Sequence, residues 1–508
     1  MVIFRSRLTT LLTLLVALLS VTAHAQDDSQ TDYQARLKGI DEKIEQVMQD
    51  FNVPGLALGV VAGGQVVKVK GYGLRDIKNG LPANADTQFP IGSSTKAFTS
   101  FVIGTLVDEG KLTWDTPVKQ YLPEWKMQVD YATYHTNLKD MLAHRTGLGG
   151  HNLIWLGNPD LDGQQIIEKL PHLNLNKGFR EGFIYNNLMY AMAGHVAWKV
   201  SGQRWETLVQ ERVLDKLDMN NTSFNYTTML NTDNYALPYQ IRNNTPTQID
   251  YNGSLSEVLW PAGSMNASVK DMVKWLQMLV NKGHYGESSL IDSKTLQTIQ
   301  SPFNTLTRFS DDADKLPLHY GLGWFIRSFR GHYQVQHGGN IDGFTSAVFT
   351  YPNEDLGIVV LSNQNASTVP YLLSMEISEL LLDLEPRNHL AQALAEEKAA
   401  QTPESENETK QPSGFSMSNE ALQAYAGTWN NPGYGKIDIT VSNGGLVVDY
   451  NGVIEQFVPE KQHQFRSLNT HHLSLFEDDV LVFETNEDGK LNTVNAPFDY
   501  PASVRFSR

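Results

Sequence analysis

One short motif, Ser93-Ser94-Thr95-Lys96, constrains this chain more than any other feature of its 508 residues. Apolar residues follow the motif at helical spacing and predict a buried helix over 94–109. Positions i and i+3 share one helix face, which would place the Lys96 amine beside the Ser93 hydroxyl. A serine becomes a nucleophile when a neighbouring base takes its proton, and burial can lower the pKa of a lysine enough for that role. The motif therefore predicts half of an acyl-transfer site.

S-x-x-K alone is a weak signal, because about one or two copies are expected by chance in a chain of this length. An exposed lysine that follows a serine helix cap is the alternative reading. Tyr185-Asn186-Asn187 strengthens the catalytic reading, since it comes just before a predicted helix over 188–200. A phenol there could relay the serine proton, and the Asn187 amide could hold a substrate carbonyl and the lysine amine. By itself the segment is more typical of a buried tyrosine at a helix cap.

The third segment is His337-Gly338-Gly339-Asn340, which we place between a strand over 333–336 and another that begins at 344. Two glycines beside a histidine allow the backbone to approach a substrate closely and to present N–H donors to it. A structural histidine at a tight turn is the alternative for this stretch taken alone. The occurrence of all three segments in one chain, in this order, favours a catalytic site.

The first 25 residues have the pattern of a secretory signal peptide. Arg5 and Arg7 precede an apolar run over 8–21, and Ala23-His24-Ala25 resembles a cleavage site. The run is short for a membrane span, so we expect cleavage, no stable span afterwards and a periplasmic protein. An uncleaved anchor is the alternative.

Composition excludes several classes of protein. The net charge of −16 argues against a nucleic-acid partner. The absence of cysteine excludes disulfides, a thiol nucleophile and cysteine-bound zinc. We expect a small-molecule or peptide substrate, and a homo-oligomer is compatible with the sequence.

The chain divides into four parts: a signal peptide (1–25), a large domain (26–385), a linker (386–418) and a small all-β domain (419–508). Strand-like segments at both ends of the large domain, with helices between them, predict one sheet assembled from the two ends beside a helical region. The linker is rich in Ala, Glu and Gln and is predicted to be helical near 390–400 and disordered beyond. Short alternating strands after 419 predict a small antiparallel barrel or sandwich.

The three motifs in this order resemble those of the serine β-lactamase and penicillin-binding-protein superfamily, in its class C β-lactamase-like branch. The resemblance extends to further segments, at 71–73, 112–118, 121–123, 141–148, 261–264 and 320–324. It implies an α/β (α+β) fold with a mainly antiparallel central sheet flanked by helices, a helical subdomain and a small β-barrel domain. The tail, with Tyr425-Ala426-Gly427-Thr428-Trp429, is similar to the lipocalin-like domain of some of these hydrolases.

The resemblance also implies roles for the site residues. Ser93 would attack the scissile carbonyl, Lys96 and Tyr185 would share the general-base role, and Asn187 would orient the substrate. His337, Gly338 and Gly339 would form the third motif, and the backbone N–H groups of Ser93 and Asn340 would form the oxyanion hole. Water would then hydrolyse the acyl-enzyme, with no metal or other cofactor.

One position departs from many β-lactamases and carboxypeptidases, which have lysine where this chain has His337. A mostly neutral histidine would hold a substrate carboxylate less well than a lysine. The resemblance to D-aminopeptidase-like members therefore favours a peptidase or amidase acting on D-amino-acid-containing peptides. An esterase or a class C-type β-lactamase is the alternative within the fold. A non-catalytic protein that binds cell-wall fragments is the alternative of another class, and a third reading gives the main function to the β-domain.

Overall fold

The computed structural model describes residues 33–251, 255–307, 317–400, 415–468, 480–499 and 502–508. Three sequence predictions lie outside these residues: the signal peptide at 1–25, the disordered part of the linker over 401–414, and a strand near 473–476.

A nine-stranded sheet forms the centre of the large domain, and its strand pairs are antiparallel. Gly55–Ala62, an uninterrupted apolar run, is buried along its whole length between Leu356–Ser362 and Gln65–Asp76. The prediction that both ends of the domain build one sheet is confirmed. From one edge to the other the strands are Asn304–Thr307, Leu318–Tyr320, Phe325–Phe329, His332–Ile341, Phe344–Tyr351, Leu356–Ser362, Gly55–Ala62, Gln65–Asp76 and Leu81–Pro82.

Helices cover both faces of this sheet and form two separate cores. Alternate side chains of Gly55–Ala62 enter opposite cores, with Ala57 and Val61 on one face and Leu58 and Val60 on the other. From Ile40 onward, the α-helices in the described residues are Ile40–Asp50, Thr95–Asp108, Val118–Tyr121, Asp130–His135, Leu138–Leu142, Gly163–Lys169, Asn187–Ser201, Trp205–Val209, Tyr226–Leu230, Trp260–Gly263, Val269–Val280, Ser293–Ile299, Val369–Leu381, His389–Ala400 and Asn419–Leu422.

The helix Thr95–Asp108, here called the nucleophile helix, lies in the larger core. Its Phe98 ring stacks on Trp275 of Val269–Val280, with ring centroids 4.1 Å apart. A short sheet fixes the segment before this helix, since Gln88–Pro90 pairs with Asn266–Ser268. Both contacts hold the start of the helix at the boundary between the sheet and the helical region.

Eight strands after the linker close into a barrel, as the sequence predicts for an all-β domain. Their inward positions hold buried aromatic rings, at Trp429, Phe465, Phe483, Phe498 and Phe506. The strands are Gly427–Asn431, Gly435–Ser442, Gly445–Tyr450, Val453–Lys461, Gln464–Ser467, Val480–Thr485, Leu491–Asp499 and Ala502–Ser507. No helix in the described ranges is long and apolar enough to cross a membrane.

A buried carboxylate stabilises the 180–186 segment, which leads to Tyr185. Asp140 is fully buried, and its oxygens accept hydrogen bonds from Arg145 Nε at 2.7 Å and from Arg180 Nε and Nη2 at 2.8 and 2.7 Å. Removal of one partner from such a network leaves charges that are only partly solvated. Asp140 therefore stabilises the connection between Leu138–Leu142 and the 180–186 segment.

We predict that Asp140→Ala lowers the free energy of unfolding by about 3 kcal/mol, because two arginines lose their buried partner. Asp115→Ala is the matched control, since Asp115 pairs with Lys139 at 2.8 Å but is largely exposed and should change stability by about 1 kcal/mol or less. Equilibrium urea denaturation followed by tryptophan fluorescence measures both. Equal losses in the two variants would contradict the prediction.

Candidate active site

Ser93 occupies a 3-10 turn, Gly92–Ser94, immediately before the nucleophile helix. It is partly exposed, whereas its neighbours in the turn are buried, so its hydroxyl stays accessible. Gly92 has φ of +51°, in the left-handed region that favours glycine. A side chain there would also come within 3.0 Å of the backbone nitrogen of Asn340. The turn thus brings the start of the helix against the strand that carries the third motif.

Hydrogen bonds fix this turn from two sides. The Ile91 N–H donates to Met265 O at 2.9 Å, and the Met265 N–H donates to Thr95 Oγ1 at 3.2 Å. On the sheet side, Ser346 Oγ donates to Ile91 O at 2.8 Å and lies 2.9 Å from Ser94 Oγ. The position of Ser93 is therefore set by both the sheet and the 260–265 segment.

Lys96 is fully buried behind Ser93, and its amine is surrounded by uncharged oxygen atoms. Nζ lies 3.0 Å from Ser93 Oγ, 2.8 Å from Asn187 Oδ1 and 2.6 Å from the Ala262 carbonyl oxygen. Burial lowers the pKa of Lys96 well below its usual 10.5. The nearby faces of Tyr185 and Tyr190, 4.7 and 5.3 Å from Nζ, favour the charged form, but burial is the larger effect.

The three contacts fit a charged amine that donates to all three oxygens, and they also fit the neutral amine that a general base requires. Such an amine has two hydrogens and one lone pair, whereas the charged form has three hydrogens and no lone pair. The Ala262 carbonyl and the Asn187 amide oxygen can only accept, so they take the two hydrogens. In the neutral form the lone pair then faces Ser93 Oγ, which is the arrangement a general base requires.

Tyr185 and Asn187 lie beside Ser93 and Lys96, at the start of the helix Asn187–Ser201. The Tyr185 hydroxyl lies close enough to Ser93 to influence its own pKa, and burial, the larger effect, raises that pKa and keeps the phenol protonated. Asn186 caps the helix, with its side-chain oxygen accepting from the Met189 N–H at 2.9 Å. The cap holds Asn187 as the first helical residue, with its amide against Lys96. The structure thus brings together Ser93, Lys96, Tyr185 and Asn187.

His337 lies near these residues but is 2% exposed and has partners at both ring nitrogens. Its Nδ1 lies 2.5 Å from Gly338 O, which can only accept, so Nδ1 carries the proton. Nε2 accepts from the Tyr320 hydroxyl at 2.8 Å. Burial is the main reason why the pKa of His337 is lowered to about 3. The ring is therefore neutral across the physiological range.

The third motif lies inside a strand, which corrects the prediction that it follows a strand over 333–336. His332–Ile341 runs through His337, Gly338, Gly339 and Asn340, paired residue by residue with Phe344–Tyr351. A methyl group at Gly339 would clash with the Ile91 carbonyl oxygen. The glycine is thus required by the close approach of this strand to the nucleophile turn, and not by a tight turn of its own.

Three residues contribute to the site that the sequence analysis did not assign: Ala262, Tyr320 and His144. Ala262 acts through its backbone carbonyl, for which a sequence has no side-chain signal. His144 is buried, packs at 4.4 Å between ring centroids against Tyr185, and accepts from the Asn186 N–H at 3.1 Å. All three fall in segments of the family resemblance, which was the available clue.

In the described part of the chain no group of three or more His, Asp or Glu side chains is arranged to hold a metal ion.

The Domain of unknown function (DUF3471) model matches residues 412–507, which include the barrel. Among solved structures, the octameric penicillin-binding protein homologue from Pyrococcus abyssi superposes with a TM-score of 0.61 at 20% identity, over 93% of this chain and all of that chain. This likeness shows a shared fold.

Two kinds of curated relative are similar in sequence. Protein flp of Staphylococcus aureus (strain MW2) is 27% identical over 342 residues, covering 66% of this chain and 64% of that protein. Unguisins hydrolase ungD' of Aspergillus campestris is 26% identical over 343 residues, covering 64% and 61%. The matched region thus spans less than two thirds of either relative. The Beta-lactamase family model matches residues 40–373, most of the chain and all of the site described above, and the protein belongs to the beta-lactamase family.

Proposed function

We propose that this protein is an exported serine hydrolase that works through an acyl-enzyme formed on Ser93. The observation that carries the proposal is the environment of Lys96, a buried amine 3.0 Å from the serine hydroxyl with its other two contacts to obligate acceptors. A protein that only binds a ligand has no use for such an arrangement, because burying an amine is costly. The relative named as a hydrolase, ungD', agrees with this function. Export rests on the signal-peptide pattern of residues 1–25.

The proposed reaction begins when Lys96 takes the Ser93 proton and Oγ attacks the scissile carbonyl. The carbonyl oxygen becomes an oxyanion, which the backbone N–H groups of Ser93 and Asn340 stabilise. Tyr185, kept protonated by its raised pKa, donates to the leaving group and is reprotonated from Lys96. Water then attacks the acyl-enzyme with Lys96 again as base, and Ser93 is released.

We predict that a fluorophosphonate probe adds one adduct to the wild-type protein and none to Ser93→Ala. Lys96→Ala should react about 100- to 10,000-fold more slowly, because it lacks the general base. Ser201→Ala is the control, since Ser201 lies at the far end of Asn187–Ser201 and should label like the wild type. Intact mass against time measures the rates. If the wild type does not label, the protein is a binding protein and the proposal is wrong; if Ser93→Ala labels as fast, the nucleophile is another serine.

For the substrate we propose amides or peptides cut near a D-residue, as in the class C-like, D-aminopeptidase-like branch. The resemblance of His337-Gly338-Gly339 to that branch supports this choice. The chemistry of His337 supports it as well, because a buried neutral ring with both nitrogens engaged supplies no positive charge to a substrate carboxylate. A substrate that presents its amino end, or an uncharged acyl group, does not need that charge.

We predict how a D-aminoacyl substrate responds to a change at the far end of its leaving group. The substrate whose leaving group ends in a carboxamide should be hydrolysed at least as fast as the one whose leaving group ends in a free carboxylate. A hydrogen bond to a charged group contributes about 1.5–3 kcal/mol, so a carboxylate-binding site would prefer the acid by about tenfold or more. The measurement is kcat/KM for the matched pair, with a penicillin and a simple ester alongside. A tenfold preference for the free acid would contradict the proposed role of His337, and turnover of the ester alone would make the protein an esterase.

A further inference from the structure

The barrel contacts the large domain through the turn between Gly427–Asn431 and Gly435–Ser442. Tyr434 in this turn is 4% exposed, and its hydroxyl lies 2.7 Å from Nδ1 of His151 in the large domain. In the same turn, Gly433 O accepts from Lys169 Nζ at 3.1 Å. The Tyr450 hydroxyl donates to Tyr434 O at 3.0 Å and holds the turn from inside the barrel. The turn is thus fixed on both sides of the domain boundary.

The direction of the hydrogen bond between Tyr434 and His151 follows from the other ring nitrogen. His151 Nε2 lies 3.0 Å from Asn174 O, and a carbonyl oxygen can only accept. In the neutral ring Nε2 therefore carries the proton, and Nδ1 accepts from the Tyr434 hydroxyl. Phe498 O is a more distant acceptor for that hydroxyl, at 3.5 Å. His151 is 1% exposed, so loss of the tyrosine hydroxyl would leave a buried nitrogen without this donor.

His151 belongs to a loop that holds the Tyr185–Asn187 segment. Its backbone is in the left-handed region, with φ of +45°, which a histidine adopts only where its surroundings hold it there. Two residues earlier, Gly149 O accepts from Asn186 Nδ2. Asn186 caps the helix that begins with Asn187, whose amide oxygen accepts from Lys96. A continuous set of contacts therefore runs from the barrel to the proposed general base.

We propose that Tyr434 is a positioning residue of the active site, and that the barrel holds the 147–152 loop, through His151, in the conformation that orients Asn186 and Asn187. This inference rests on the proposed function for its effect on catalysis, but its structural part does not.

The test compares Tyr434→Phe with Tyr425→Phe in the full-length mature protein. Tyr425 is a matched control, because it is a buried barrel tyrosine whose hydroxyl also lies near a histidine nitrogen, His463 Nδ1 at 2.9 Å, within the barrel itself. Amide hydrogen exchange, read by mass spectrometry over 147–152 and 184–187, reports the loop without any need for activity. The rate of Ser93 labelling by the fluorophosphonate probe reports the effect on the site.

We expect Tyr434→Phe to speed exchange in both segments, and to slow labelling, by roughly 3- to 10-fold each, while Tyr425→Phe changes neither. Faster exchange in a protein whose wild type does not label would support the positioning role and refute the proposed function. Exchange that stays at the wild-type rate in both segments of Tyr434→Phe would overturn the inference. So would an equal effect of Tyr425→Phe, since the cause would then be general loosening of the barrel.

Discussion

The site depends on one constraint, the burial of the Lys96 amine among uncharged oxygens. A buried lysine is stable in its neutral form, and a neutral amine needs two acceptors for its hydrogens. Ala262 O and Asn187 Oδ1 satisfy this requirement at 2.6 and 2.8 Å, which leaves the lone pair for Ser93. The catalytic capacity that we propose therefore depends on the burial of Lys96, which favours the uncharged amine. Displacement of either acceptor would remove a contact that positions the amine beside Ser93.

The fold places these acceptors around Lys96 by bringing three distant parts of the chain together. The nucleophile helix supplies Ser93 and Lys96, the start of Asn187–Ser201 supplies the amide acceptor, and the 260–263 turn supplies the carbonyl. The sheet contributes the strand His332–Ile341, whose glycines allow it to lie against the nucleophile turn. None of these elements forms the site alone, and each is fixed by hydrogen bonds to at least one of the others. The hydrogen bond between Tyr434 and His151 connects the barrel to the same set of elements.

Much of this arrangement could be predicted from the sequence, because it follows from local periodicity and from residue types at fixed spacing. The helix predicted over 94–109 is observed as Thr95–Asp108, and the strand predicted to begin at 344 is observed as Phe344–Tyr351. Contacts that depend on tertiary structure were not predictable. The Ala262 carbonyl has no side-chain signal, and the bond between Tyr320 and His337 joins two separate strands. The third motif looked like a turn because its two glycines suit turns, whereas here they serve the close packing of a strand.

The measurement that tests this account most directly is the pH dependence of Ser93 labelling by a fluorophosphonate. A base acts only when deprotonated, so the rate constant should rise with pH through the pKa of Lys96 and then level off, with a midpoint well below 10.5. His337, with its pKa lowered to about 3, should add no step near neutral pH. A rate that is low at neutral pH and still climbing at the pKa of an ordinary lysine would show that Lys96 is charged in the folded protein. That result would contradict the central claim.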